Sequence, residues 1–118
     1  GMAHIMLPSS AESQTGNDNM RRYADTGVAE LIRKMCSYGA KKRRITAKIA
    51  GGAQMFSGDS DVFSVGERNV AAVKQALQSS KIPIVAEQTG LDFGRTVFFY
   101  SEDGTMEVRA PSRPAIKV

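Results

Sequence analysis

The feature that most constrains this chain is a change of hydrophobic period, made repeatedly and punctuated by glycine. Val28, Leu31, Ile32 and Met35 recur at i, i+3, i+4 and i+7, the apolar stripe of an amphipathic helix. Asp25 or a neighbour can start that helix, and Gly39 stands where helices commonly end in the left-handed conformation. Ile45, Ala47 and Ile49 then alternate with Thr46 and Lys48, the period-two pattern of a strand with one wet face. Gly51-Gly52 breaks that strand, and helical spacing returns in Val70, Val73 and Leu77 behind Ser64-Val65-Gly66-Glu67, a capping-box pattern. A strand over 82–87 follows, with Pro83 near its start, where a missing donor is tolerated. Alternation of this kind excludes an all-helical bundle and an all-β sandwich.

The remaining segments fit the same scheme. Met2 to Leu7 is apolar enough for a buried strand, Pro8 to Arg22 is a polar loop, and Ala53 to Phe63 is a second loop. Arg95–Tyr100 and Met106–Arg109 pair as a hairpin through a turn containing Asp103-Gly104. Pro111 onward carries two prolines and reads as a tail. The expected fold is therefore α/β (mixed α+β), two helices covering a largely mixed, open sheet of five strands. It forms a single domain over 1–110 with a tail over 111–118. Such a sheet leaves one face bare. Gly1 is not a translational start, so it is either a cloning scar or the first residue of the C-terminal part of a longer protein, and strands upstream of it would cover that face.

Composition narrows the chemistry. The 118 residues carry one cysteine, one histidine and a net charge of +4, which rules out an internal disulfide and a zinc finger and suits an acidic partner. No apolar stretch approaches the roughly 18 residues of a spanning helix. The basic run Lys41-Lys42-Arg43-Arg44 has no interleaved aromatics and reads as a solvated turn, so no nucleic-acid partner is expected. Cys36 falls in the last turn of the first helix beside Ile32 and Met35, where the helix dipole disfavours a thiolate. It reads as structural. His4 shares a strand face with Met2 and Met6, and a lone histidine there is a hydrogen-bonded filler or a base. Ser9 and Ser10 are near in sequence, but spacing supplies neither an orienting group nor an oxyanion hole. Gly51-Gly52-Ala53-Gln54 ends a strand and can expose backbone donors, without the spacing of a Walker or dinucleotide motif.

Taken in order, several stretches resemble one family. They are Gly1-Met2-Ala3-His4-Ile5-Met6-Leu7-Pro8, Tyr23-Ala24-Asp25, Ala47-Lys48-Ile49-Ala50-Gly51-Gly52-Ala53-Gln54-Met55-Phe56, Val65-Gly66-Glu67-Arg68-Asn69-Val70, Ile84-Val85-Ala86-Glu87-Gln88-Thr89-Gly90 and Gly94-Arg95. Their order and spacing resemble CheD, the chemoreceptor glutamine deamidase of bacterial chemotaxis. The resemblance implies layered sheets with outer helices, similar to the cytotoxic necrotizing factor deamidases. It implies a cytoplasmic cysteine hydrolase that converts receptor glutamines to glutamates, can also cleave glutamyl methyl esters, and needs no metal or cofactor. His4 matches the family's catalytic histidine. The family's nucleophilic cysteine, in a Gly-Ser-Cys turn, and a threonine before it lie upstream of the Gly-Met-Ala-His strand, and neither has a counterpart here. Cys36 does not match the nucleophile. Gly51, Gly52 and Gln54 are the candidate substrate-binding residues. The implied partners are methyl-accepting chemoreceptors and a CheC-type phosphatase, and a second reading is a non-catalytic module that binds that phosphatase. On this reading the chain lacks its first segment and is inactive alone.

Overall fold

The computed structural model describes residues 1–13, 19–55 and 65–118. Helix α1 spans Ala24–Ser37, strand β1 Ala47–Gly51, helix α2 Val65–Ser79 and strand β2 Ile84–Thr89. Strands β3 (Thr96–Tyr100), β4 (Thr105–Arg109) and β5 (Ile116–Lys117) complete the order. Instead of one open sheet of five strands there are two sheets: a parallel pair, β1–β2, and an antiparallel trio, β3–β4–β5. The mixed α/β class, with two helices and layered sheets, holds.

Both helices stop as their sequences dictate. At the end of α1, Ala40 N–H reaches Met35 O at 3.0 Å and Gly39 N–H reaches Cys36 O at 3.0 Å, with Gly39 at φ 103°. That is the double closure of a Schellman motif, which satisfies carbonyls left over by the last turn. At the end of α2, Ile82 N–H reaches Leu77 O at 2.9 Å and Lys81 N–H reaches Gln78 O at 3.0 Å. Here Lys81 takes the left-handed position, φ 57°, without being glycine. The closure carries Ile82 onto Leu77, and both join Val28 at the centre of the core. Ile32, Ile45, Ala47, Ile49, Val73 and Ile84 pack around them. The apolar stripes of both helices thus meet one face of β1 and β2.

The β1–β2 ladder pairs Ala47 with Ile84, then slips so that Lys48 pairs with Ala86. Val85 falls in the slip and is exposed, as the extra residue of a bulge commonly is. Lys48, expected on a wet face, is half-buried: its ammonium donates to Gly104 O at 2.6 Å and to Val118 O at 2.8 Å. It therefore ties the two sheets together. The predicted hairpin is present, with Gly104 at φ 75° and Asp103 Oδ1 accepting from Thr105 N–H at 2.9 Å. Within the segment read as a tail, Ile116 and Lys117 pair with Val108 and Glu107. The predicted capping box depends on Ser64, which lies outside the described residues, as do most of the 53–63 loop and part of the 8–22 loop.

The largest departure is at the start. Residues 2–7 were expected as a buried strand, yet among the described residues the only ladder contact is a parallel bridge between Leu7 and Tyr23. Met2, Ala3, His4 and Met6 are exposed. The segment is held from one side only, with Met6 and Leu7 N–H both donating to Arg22 O at 2.8 and 3.1 Å and Ala24 N–H donating to Leu7 O at 2.9 Å. Among the described residues nothing pairs with residues 2–5 as a strand, and an extended segment is buried by its neighbours rather than by its composition.

Candidate active site

His4 is placed by what its neighbours touch. Over residues 4–7 the exposure alternates as expected, His4 and Met6 exposed and Ile5 and Leu7 half-buried, while Ala3 is exposed with Met2. Ile5 lies on α1 at Gly27: a Cβ there would sit 2.8 Å from Ile5 Cδ1 and 2.5 Å from Arg21 O. A Cβ on Gly1 would come within 2.7 Å of Leu31 Cδ1 and 3.2 Å of Met35 Cγ. The segment therefore runs antiparallel to α1 and presents His4 away from it.

That geometry bears on the sole thiol. Cys36 is half-buried and lies nine residues beyond Gly27, roughly 13 Å along a helix axis. His4 sits beside Ile5, near the Gly27 end, with its side chain on the opposite face. The structure does not bring Cys36 to His4.

Three further anchors define the neighbourhood of His4. Asp25, in the first turn of α1, accepts from Ser10 N–H at 3.0 Å and from Ser10 Oγ–H at 2.7 Å. Burial alone would raise the Asp25 pKa, but the Ser10 and Thr26 hydrogen bonds outweigh it and hold the carboxyl below its usual range. Ser10 is thus tied to Asp25, and Ser9 caps a single 3-10 turn by accepting from Ala11 N–H at 3.2 Å. Both serines have structural duties.

The second anchor is the first turn of α2. Gly66 sits against the Gly51-Gly52 turn so closely that a Cβ would lie 2.6 Å from Gly52 O and 2.7 Å from Ala53 O. Gly52 in turn takes φ 66°, so both glycines are required by close backbone approach. One helical turn later, Asn69 Nδ2 donates to Met6 O at 3.1 Å, and between them Arg68 forms an ion pair with Glu12. Residues three apart share a helix face. The same turn of α2 thus meets the His4 segment through Asn69 and the candidate substrate loop through Gly66.

Asn69 escaped the sequence reading as a functional residue. Its only signal was membership of the Val65–Val70 stretch, and nothing in that spacing names its partner 63 residues away. Asn69 Oδ1 and Arg22 Nε are both buried without a hydrogen-bond partner among the described residues. Groups of this kind cost about 1–3 kcal/mol each when left unpaired.

The third anchor is the candidate substrate loop itself. Gly51 O accepts from Gly90 N–H at 2.9 Å, and Gln54 N–H donates to Leu91 O at 2.8 Å. The Gln54 amide is therefore committed to the scaffold, while its side chain is exposed. The basic stretch Lys42–Arg44 forms an exposed 3-10 turn before β1, at the opposite end of that strand from Gly51. Among the described residues no group of three metal-binding side chains occurs, and no helix is long and apolar enough to cross a membrane.

Comparison with known proteins gives the family. The family model described as CheD chemotactic sensory transduction matches residues 6–110. A protein of Lachnoclostridium phytofermentans named probable chemoreceptor glutamine deamidase CheD is 45% identical over the whole chain, which covers 74% of that protein. A protein of the same name from Caldanaerobacter subterraneus subsp. tengcongensis is 50% identical over 92% of the chain and 68% of its own length. The chemoreceptor glutamine deamidase CheD of Halalkalibacterium halodurans is 46% identical with the same coverage. With the family model spanning nearly all of the described fold and relatives approaching half identity, the chain belongs to the CheD family.

Proposed function

We propose that this chain carries the acid–base half of a chemoreceptor glutamine deamidase, with His4 as the proton carrier. The observation that carries the reading is the exposed imidazole of the only histidine, on a segment anchored by Arg22 O and Asn69. In the reaction a thiolate attacks the side-chain carbonyl carbon of a glutamine, forming a C–S bond as the carbonyl electron pair moves to oxygen. Collapse of that adduct expels ammonia, which takes a proton from His4. His4 then removes a proton from water, whose oxygen attacks the thioester, and the thiolate departs to leave glutamate. A glutamyl methyl ester would follow the same course, losing methanol.

Cys36 is unsuited to supply the thiolate, lying nine residues along α1 from the Gly27 against which Ile5 packs. We assign the nucleophile to residues outside these 118, because the one thiol present, Cys36, is not beside His4. Backbone donors for the tetrahedral oxyanion belong with that nucleophile, and Gly52 with the Gln54 side chain forms a second wall. Within this reading the substrates are the cytoplasmic parts of methyl-accepting chemoreceptors, and a CheC-type phosphatase is the regulatory partner.

The test uses protein spanning the full length of the relatives, with ammonia release and peptide mass followed on receptor fragments. His4→Ala should lower turnover by about 10²–10⁴-fold or more. Wild-type rates in that variant remove His4 from the mechanism. Turnover by the 118 residues alone that disappears in Cys36→Ala would make Cys36 the nucleophile and overturn the assignment.

A further inference from the structure

The loop after β2 braces the loop after β1. Besides the Gly90–Gly51 and Gln54–Leu91 hydrogen bonds, a Cβ on Gly94 would meet Met55 Sδ at 3.5 Å. Residues 90–95 therefore stand directly against Gly51, Gln54 and Met55. On this brace two guanidinium groups share one aromatic ring: Arg95 Cζ lies 4.5 Å and Arg113 Cζ 3.9 Å from the Phe93 centroid. Arg95 is fixed by donating to Gly90 O at 2.9 Å and to Phe93 O at 3.5 Å. Arg113 is exposed and follows Ser112, which holds a positive φ of 57°.

Among the described residues, neither arginine has a carboxylate within ion-pair distance. The ion pairs present use Arg33, Arg68, Lys74 and Arg109 instead. Partial burial, and after it the charge of Arg113, hold the Arg95 guanidinium below its ordinary pKa. Two like charges are thus kept near each other by a ring that favours cations on its face, with no carboxylate of the described residues paired to either.

We propose that Phe93, Arg95 and Arg113 form a carboxylate subsite that takes an acidic side chain of the substrate polypeptide beside the target glutamine. The proposal rests on the deamidase reading for the identity of that polypeptide. Guanidinium forks match carboxylates in two parallel hydrogen bonds, and the chain's net charge of +4 attracts an acidic partner. The location selects this pair over the denser basic run at 41–44, which sits at the far end of β1, roughly 17 Å away at strand rise. A subsite next to the candidate substrate loop chooses among glutamines by their neighbours, which the reaction chemistry alone cannot do.

The test is binding, which needs no nucleophile. Two fluorescein-labelled glutamine peptides, one with glutamates flanking the glutamine and one with alanines, are titrated into the 118-residue chain by anisotropy. The glutamate peptide should bind about tenfold more tightly, corresponding to about 1.4 kcal/mol, with the preference shrinking as salt rises. Arg113→Ala should abolish the preference, and Arg113→Lys should restore only part of it. Equal affinity for the two peptides, or a preference that survives Arg113→Ala, overturns the subsite. Failure of the deamidase reading is separately visible: full-length protein would bind the glutamate peptide with the same preference and never convert its glutamine.

Discussion

Strand β4 and residues 1–7 are both short, extended and rich in apolar side chains, yet they end in opposite environments. In β4, Met106, Glu107 and Val108 are all buried, including a carboxylate at 3% exposure. In the other, Met2 and Met6 are 59% and 52% exposed. The difference lies in their neighbours. β4 has β3 on one side and β5 on the other, while residues 1–7 have α1 beneath them and a single bridge to Tyr23. A sheet's centre can bury even Glu107, because Tyr100 Oη–H donates to it at 2.9 Å and Arg109 pairs with it. A one-sided segment leaves a methionine in water and, by the same exposure, leaves the His4 imidazole in contact with solvent. On the proposed reading, stability and reactivity lie in different parts of the molecule.

The sharpest way to break this contrast is to truncate a methionine in each region. Met106→Ala should destabilise the fold by about 2–5 kcal/mol through cavity formation, whereas Met6→Ala should remain within about 0.5 kcal/mol. Urea unfolding of the two variants measures both, and equal losses would show that residues 1–7 are as integral as β4. A smaller effect is expected at the seam between the segment and α1. Gly27→Ala drives a methyl against Arg21 O, which is main chain and cannot swing aside, so about 1–3 kcal/mol should be lost. The His4 ring resonance, unambiguous in a single-histidine chain, should shift in the same variant.

Smaller still is the loss at the anchor. Asn69→Ala removes the bond to Met6 O, worth about 1 kcal/mol, but also removes the unpaired Oδ1, so the net change in global stability is near zero. Local amide exchange at Met6 and Leu7 should nevertheless speed up while that of Ile82 does not. Unchanged exchange at Met6 would mean that Arg22 O alone holds the segment.

The mildest effect is on acid sensitivity. Hydrogen bonds from Arg109, then Tyr100, hold the Glu107 carboxyl below its ordinary pKa. A carboxylate depressed in the folded state stabilises above its unfolded pKa, and that contribution fades as pH falls through the folded value. Glu107→Gln should therefore flatten the stability profile on the acid side of the ordinary glutamate range and leave its slope near neutrality unchanged. A profile identical to wild type below that range would show that β4 buries Glu107 without electrostatic benefit.

The same contrast explains what could be read from residues alone. Helix α1 was legible because its stripe and Gly39 are local signals, and the hairpin because Asp103-Gly104 sits between two strand patterns. The division into two sheets was not legible: it follows from the pairing of β1 with β2 alone and from Lys48 reaching Gly104 and Val118, contacts whose partners lie far along the chain. For residues 2–7 the alternation holds only over 4–7 and the expected burial does not hold, since burial depends on which strands lie alongside. His4 could be singled out by type and by resemblance. The anchoring of its segment by Asn69, and the meeting of that segment and the Gly51-Gly52 turn at one turn of α2, appear only in three dimensions.

The cross-tie made by Lys48 also has a consequence for the order of assembly. The β3–β4 hairpin closes over a short turn, an event of about 1–10 μs, whereas the parallel β1–β2 pair must wait for α2 to form the crossover between its strands. Lys48 lies on the slow pair and its acceptors lie on or beside the fast one, 56 and 70 residues away in sequence, so its two hydrogen bonds form only after both halves exist. Contacts made after the rate-limiting barrier slow escape from the native state without hastening arrival. Lys48→Met should accordingly raise the unfolding rate in stopped-flow measurements and leave the refolding rate unchanged, and a slowed refolding limb would instead put the docking of the two sheets inside the folding nucleus.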